Sequence, residues 1–175
     1  MRPQAVVVLI KLAISDREWS AKELGQSLGL SKSEICNSLD RSMQAGLLDD
    51  SKRLVKRQRL AEFLQHGVDY VFSVNLIQTS IKGVPTALSA KLLADKIVSE
   101  VDFVWPDSSG EMMGMGVTPL YSQVIQAAKN DAQLYGVLTL VDTLRLESSR
   151  IRERNLAKEL LEDILLNRNE LVLLA

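Results

Sequence analysis

Two helix-start signals lie eleven residues apart near the beginning of the chain, with a glycine between them. In "WSAKEL", Ser20 precedes Glu23 by three residues, and in "LSKSEI", Ser31 precedes Glu34 by the same distance. This spacing is typical of a capping box, in which each of the two side chains bonds the backbone N–H of the other residue. Gly29 can adopt the left-handed conformation that ends a helix. The pattern therefore predicts two short helices joined by a tight turn, which is a helix-turn-helix.

The second of these helices is predicted to span residues 31–45. Ile35, Leu39 and Met43 recur at helical spacing and predict a buried stripe, and Gly46 is expected to stop the helix. The opposite face then carries polar side chains that are small enough, or rich enough in hydrogen-bonding groups, to enter the major groove of DNA. These residues are Lys32, Ser33, Cys36, Asn37, Asp40, Arg41 and Gln44.

Several of these side chains have the chemistry to contact bases or phosphates. Asn37 can pair with adenine through two hydrogen bonds, and Arg41 can reach guanine or a phosphate. Ser31 and Ser33 lie at the positive end of the predicted helix, where backbone N–H groups can meet a phosphate. Asp40 has three open alternatives, since it can pair with Arg41, accept from cytosine or point away from DNA.

A basic run follows the predicted helix-turn-helix. The segment "KRLVKRQR" holds five cations in eight residues, although the whole chain has a formal net charge of −1. The segments "LL", "DDSKR" and "LV" just before and within this run favour a short hairpin. A helix is also predicted ahead of the two capped ones, from the helical spacing of Val6, Leu9, Ile10, Ala13 and Ile14. The order is therefore helix, helix, helix, small hairpin, as in a winged helix. Cations here would contact phosphates and position the protein on DNA. They are Lys52, Arg53, Lys56, Arg57 and Arg59.

The stretch "WSAKELGQSLGLSKSEICNSLDRSMQAGLL" resembles the DNA-reading part of bacterial winged helix-turn-helix transcription regulators, broadly of the MarR-like kind. The words "HGVDYVF", "KGVPTA" and "VWPD" are similar to segments of bacterial proteins given the same label. The resemblance implies a recognition helix at residues 31–45 and sequence-specific binding to double-stranded DNA, more often as a repressor. Two features depart from the pattern. No dimer-forming helix precedes the winged domain, so we expect the C-terminal helices to form a homodimer, and Ser38 is polar where the motif often has an apolar residue.

The remainder of the chain predicts a mainly α, α+β protein with two parts. Residues 1–72 would form the winged helix-turn-helix with its small β-wing, and residues 73–175 a mostly helical domain for dimerisation or for binding a partner or effector. Apolar spacing predicts one long helix from Lys56 to Phe72, an irregular link over residues 73–85 and a helix over residues 87–98. A small hairpin or ordered loop is expected around "VDFVWP" and "EMMGMGV", followed by three further helices.

Composition narrows the class of function. The sequence offers no phosphate-binding glycine loop, no metal-ligand spacing and no nucleophile with a matching base, so we expect neither an enzyme nor a cofactor. The single cysteine suits a reducing cytoplasm, and the longest apolar runs are too short to span a membrane. An alternative is a winged-helix adaptor or antitoxin-like protein whose C-terminal domain binds a partner protein.

Overall fold

The computed structural model describes residues 1–167 of the 175-residue chain. Over these residues the protein is a mixed α/β structure with a small three-stranded sheet, which agrees with the expected α+β class. The helices are α1 (Pro3–Ile14), α2 (Ala21–Leu28), α3 (Lys32–Gln44), α4 (Arg57–His66), α5 (Val68–Val71), α6 (Lys91–Ala94), α7 (Val124–Lys129), α8 (Ala132–Arg145) and α9 (Ile151–Leu166). The strands are β1 (Leu76–Pro85), β2 (Phe103–Pro106) and β3 (Met112–Val117).

The first helix lies at the centre of the fold. Pro3 occupies its first turn, where a missing N–H costs little. Every residue over 5–10 is fully buried, not only those of one face, because α1 packs against α3 on one side and against α8 and α9 on others. Its side chains belong to the same hydrophobic cluster as those of α8 and α9. The division into domains at residue 72 stays a prediction.

The predicted long helix from Lys56 to Phe72 is wrong, because it is interrupted at Gly67. The backbone of Gly67 has φ −128° and ψ −20°, so α4 ends there and the short α5 begins. In a single long helix Val71 would face inward, but in the structure it is 51% exposed. The helix expected over residues 87–98 is also much shorter, because it consists of a 3₁₀ turn, Ala87–Ser89, followed by the single-turn α6.

The segment expected to be an irregular link contains the longest strand of the sheet. β1 pairs antiparallel with both β2 and β3, while β2 and β3 pair parallel with each other and close the sheet. Of the small hairpin or ordered loop expected around the segments that form β2 and β3, the hairpin is wrong, since neighbours joined by a hairpin are antiparallel. A register shift between Ile77 and Ser80 forms a bulge in β1.

A buried ion pair ties the sheet to α8. The carboxylate of Asp142 accepts from Arg145 Nη1 at 2.6 Å, from Trp105 Nε1 at 2.6 Å and from Thr86 Oγ1 at 2.9 Å. Burial raises the pKa of Asp142, and the charge of Arg145 and these hydrogen bonds act in the opposite direction. Arg145 Nε also donates to the carbonyl oxygen of Phe72 at 2.8 Å, so one buried network joins α8, β2 and the chain between α5 and β1.

The helices predicted at the end of the chain are observed. Helix α8 begins at the N-cap Asp131, whose carboxylate accepts from the backbone N–H of Leu134 at 3.0 Å. From Leu134 to Arg145 nearly the whole helix is buried, whereas α9 buries only one side. The leucine side chains on the buried side of α9 pack on α4 and α8.

Candidate nucleic-acid interface

Helix α2 begins with the predicted capping box. Ser20 Oγ accepts from the backbone N–H of Glu23 at 3.2 Å, and Glu23 Oε2 accepts from the backbone N–H of Ser20 at 2.9 Å. These bonds to Ser20, together with the nearby charge of Arg17, lower the pKa of Glu23. The prediction for this helix start is confirmed.

The turn between α2 and α3 depends on two glycines. Gly29 has φ +67°, the left-handed conformation predicted for the end of α2. The backbone N–H of Leu30 donates to the carbonyl oxygen of Gly25 at 2.8 Å. A Cβ atom on Gly25 would lie 2.5 Å from the carbonyl oxygen of Leu30, so any larger residue would force this turn apart.

Helix α3 begins with half of the second predicted capping box. Ser31 Oγ accepts from the backbone N–H of Glu34 at 3.1 Å, but the reciprocal bond from Glu34 is not formed. The charge of Glu34 instead acts on Tyr121, whose pKa is raised mainly by burial and further by this carboxylate. The hydroxyl of Tyr121 donates to the carbonyl oxygen of Leu28 at 3.0 Å, which fixes the end of α2.

The buried stripe of α3 differs from the predicted one. Ile35 is fully buried as expected, but Leu39 and Met43 are only partly buried against the core. Ser38 and Ser42 are fully buried in their place, and among the described residues their hydroxyl groups have no hydrogen-bond partner. The polar character of Ser38 therefore did not keep it out of the core.

The opposite side of α3 faces solvent, as predicted. Lys32, Ser33, Cys36, Asn37 and Gln44 are exposed, while Arg41 is partly buried. Asp40 does not pair with Arg41, because its carboxylate pairs with the ammonium group of Lys52. This pair joins α3 to the hairpin that follows it.

Residues 47–56 form that short hairpin. Leu48 and Val55 make an antiparallel bridge, and the backbone N–H of Lys56 donates to the carbonyl oxygen of Leu47 at 2.9 Å. At the tip, the Asp49 carboxylate accepts from the hydroxyl of Ser51 and from two backbone N–H groups. The bond from Ser51, followed by those backbone bonds, lowers the pKa of Asp49 to about 2.

Four of the five predicted cations of the basic run lie on the surface near α3. Lys52 pairs with Asp40, and Arg53 lies 3.5 Å from the carboxylate of Glu18. The Arg59 guanidinium lies over Gly46, since a Cβ atom there would be 2.5 Å from its Nη1. Lys56 is exposed at the N-cap of α4.

The fifth cation has a different environment. Arg57 is partly buried, and its Nη1 donates to the carbonyl oxygen of Leu165 near the end of α9 at 3.2 Å. Arg57 nevertheless lines the same cavity as Leu39, Lys52 and Arg53, so it adjoins the surface formed by α3 and the other four cations.

Residues 15–20, which lead into α2, adjoin this surface and were not singled out from sequence. The guanidinium of Arg17 lies 3.5 Å from the ring centroid of Trp19, and Glu18 contacts Arg53. A cavity of about 530 Å³ lies between this loop, Leu39 and the hairpin. In this segment the sequence indicated only the helix cap at Ser20, and the tryptophan of "REW" is a weak signal for a binding surface.

Neither a metal site nor a membrane span is found within residues 1–167. No group of three or more histidine, cysteine, aspartate or glutamate side chains in this range is arranged to hold a metal ion. None of the described helices has the length and apolarity needed to cross a bilayer.

Comparisons with known proteins give no relative. The chain matches no family model, no curated protein and no solved structure.

Proposed function

We propose that the protein is a sequence-specific, double-stranded DNA-binding repressor of the winged helix-turn-helix, MarR-like kind, and that it acts as a homodimer. The observation that carries this proposal is the exposed polar face of α3, which is flanked by the cations of the hairpin and of α4. In this proposal α3 is the recognition helix and residues 47–56 are the wing. A helix of this length fits the major groove, where each base pair has its own pattern of donors and acceptors.

The middle of α3 has the side chains for contacts with base edges. Asn37 and Gln44 are exposed and each carries an amide, which can bond adenine through a donor and an acceptor. Arg41 lies between them along the helix and is suited to guanine or a phosphate. Asp40 is neutralised by Lys52, so its negative charge repels DNA less than an unpaired carboxylate would.

The surrounding groups are suited to phosphates. Lys52, Arg53, Lys56 and Arg59 surround α3 on the hairpin side, and exposed ion pairs such as Arg53–Glu18 are weak enough to exchange for a phosphate. At the other end of α3, Lys32 and Ser33 adjoin the helix N-terminus, where backbone N–H groups attract anions. Arg57 instead anchors α4 to α9.

Two copies are needed because a single head of this size specifies few base pairs. A homodimer reads two half-sites about one helical turn apart, and the operator then has the two-fold symmetry of the protein. Two linked heads also raise the affinity for the correct site relative to the many nonspecific sites of a genome.

The test is capture of sheared genomic DNA by the purified full-length protein at near-physiological salt with competitor DNA, followed by sequencing. We expect enrichment of a few sites that share an inverted repeat. The matched variants are Asn37→Ala on the outer face of α3 and Asn155→Ala, an exposed residue of α9. Asn37→Ala should change or abolish the enriched motif, and Asn155→Ala should leave it intact. Capture without sequence enrichment, or an equal effect of both variants, would contradict the proposal.

A further inference from the structure

An exposed apolar surface lies around Tyr70 and the start of β1. Tyr70 is 86% exposed and Val71 is 51% exposed, and both precede the exposed Leu76 and Ile77. No charged residue occurs between Asp69 and Lys82, although most of these residues face solvent. Contiguous exposed apolar residues of this kind mark sites of interaction with other molecules. We use the name Tyr70 surface for residues 70–81 together with the groove described in the next paragraph.

A groove of about 700 Å³ lies beside Tyr70. Tyr70, Val74, Leu76 and Leu146 provide its apolar lining. Its charged lining residues are Asp69, Glu147, Arg145 and Arg154. The Asp69 carboxylate bonds Arg154 Nη2 at 2.7 Å, and Arg145 is held by Asp142 and backbone carbonyl groups. The groove therefore offers apolar side chains beside charges that are already paired within the chain, a setting that suits the ring and hydroxyl of a tyrosine.

The Tyr70 surface contains both halves of a self-complementary contact. It has a protruding aromatic side chain, Tyr70, and directly beside it a groove large enough to receive one. In a two-fold symmetric dimer the same surface serves both partners, so each tyrosine can enter the groove of the other copy. Tyrosine is also among the residues that contribute most to the affinity of protein interfaces.

From this arrangement we propose that the Tyr70 surface is the interface between two copies of the chain, with each Tyr70 seated in the groove of the other copy. The choice of a second copy as the occupant rests on the proposed function, which requires two reading heads. It also fits the charge of the site, because residues 70–81 carry no charge that would repel the same residues of a second copy.

Side chains, not strand pairing, make this contact. β1 already pairs with β2 and β3 in the closed sheet, and the bulge between Ile77 and Ser80 interrupts its exposed part, which disfavours pairing with a further strand. A buried tyrosine covers about 150–250 Å², whereas a stable interface buries about 800 Å² on each partner. The polar residues around the bulge, Gln78, Thr79 and Ser80, must therefore form the rim of the interface.

The first experiment measures the mass of the full-length protein in solution by sedimentation over a range of concentrations, without DNA. We expect a dimer for the wild type and an increase of at least about 30-fold in the dissociation constant for Tyr70→Ser, as for a central interface tyrosine. The matched control is Val98→Ser, because Val98 is 94% exposed on a separate loop. The side chains of Tyr70 and Val98 are exposed and pack little against the core, so we expect both variants to fold. Circular dichroism checks this.

The second experiment uses the single cysteine of the chain. In a Cys36→Ser background, one chain carries Tyr70→Cys and the other carries Ser148→Cys, since Ser148 lines the groove. Mixing and mild oxidation should give a disulfide-linked dimer of the two different chains. The matched pair with Val98→Cys in place of Tyr70→Cys should give none.

The results separate this inference from the proposed function. A wild type that is monomeric in solution, or a dimer that Tyr70→Ser does not weaken, overturns the interface even if the protein captures an operator. If the wild type is monomeric, the Tyr70 surface would instead bind a different protein. A dimer that Tyr70→Ser dissociates supports the interface, including when no DNA sequence is enriched and the proposed function fails.

Discussion

Helices α3 and α8 are similar in length but differ in the burial and hydrogen bonding of their polar side chains. Helix α8 is buried along nearly its whole length, and its buried charges, Asp142 and Arg145, bond each other and groups on other elements. Helix α3 buries Ile35 and two serines whose hydroxyl groups have no partner among the described residues, and its other polar side chains are exposed or partly exposed. The comparison shows that α8 is buried within the protein, whereas α3 leaves one side in solvent.

The largest predicted effect concerns the buried pair in α8. Asp142→Ala should destabilise the protein by about 3–5 kcal/mol, because it leaves the Arg145 guanidinium buried without its counter-ion. Urea unfolding followed by circular dichroism measures this free energy. The matched control is Asp40→Ala, which removes the exposed pair between α3 and Lys52 and should cost at most about 1 kcal/mol. Equal losses for the two variants would mean that α3 and α8 do not differ in this respect.

A smaller loss is expected where the turn holds α3 against α2. Gly25→Ala should cost about 1–3 kcal/mol, because the added Cβ atom meets a backbone oxygen that cannot move without opening the turn. Gln26→Ala, at an exposed position of the same helix, should be close to neutral. Thermal or urea unfolding compares the two. A neutral Gly25→Ala would show that the turn adapts and that the position of α3 is not fixed by this contact.

The buried serines of α3 predict an effect of opposite sign. Ser42→Ala should stabilise the protein by up to about 1 kcal/mol, because it removes a buried hydroxyl without a partner and introduces a better helix former. In α8 the hydroxyl of Thr143 donates to the carbonyl oxygen of Thr139 at 3.0 Å, so Thr143→Ala should instead destabilise. Urea unfolding of both variants tests the contrast, and a destabilised Ser42→Ala would contradict it.

The smallest effect concerns the hairpin after α3. The pKa of Asp49 is about 2 in the folded protein, below the ordinary value of 3.8, because Ser51 and backbone N–H groups bond its carboxylate. Its contribution to hairpin stability is therefore present above the ordinary pKa and is lost as the pH falls towards 2. NMR titration should show the amide signals of Arg53 and Leu54 changing in this low range. Signals that change near pH 4 would indicate that the carboxylate is not held by these bonds.

Short-range sequence signals made α2, α3 and the turn between them predictable. The cap of α2 and the glycine after it involve residues only a few positions apart, so their geometry follows from the sequence itself. The outward side chains of α3 followed from its helical period. The burial of Ser38 and Ser42 did not, because it depends on how closely α1 packs against α3.

The sheet could not be predicted because its pairings connect distant parts of the chain. β1 has no regular alternation of apolar and polar residues, and it is stabilised by β3, which lies about 30 residues further along the chain. The parallel pairing of β2 and β3 likewise depends on β1 running antiparallel to both. The contact of Arg57 with Leu165 could not be predicted for the same reason, since Leu165 belongs to the last helix.

The most direct test of the central claim compares a residue of α3 with a cation of the basic run on one captured DNA duplex and on versions with single base pairs changed. Binding of wild type, Asn37→Ala and Lys56→Ala is measured by fluorescence anisotropy at several salt concentrations. Asn37→Ala should lose about 1–3 kcal/mol of discrimination at one base position, while Lys56→Ala should weaken binding to all duplexes and flatten the salt slope by roughly one. If the two variants behave alike, or if neither changes binding, then α3 does not read DNA.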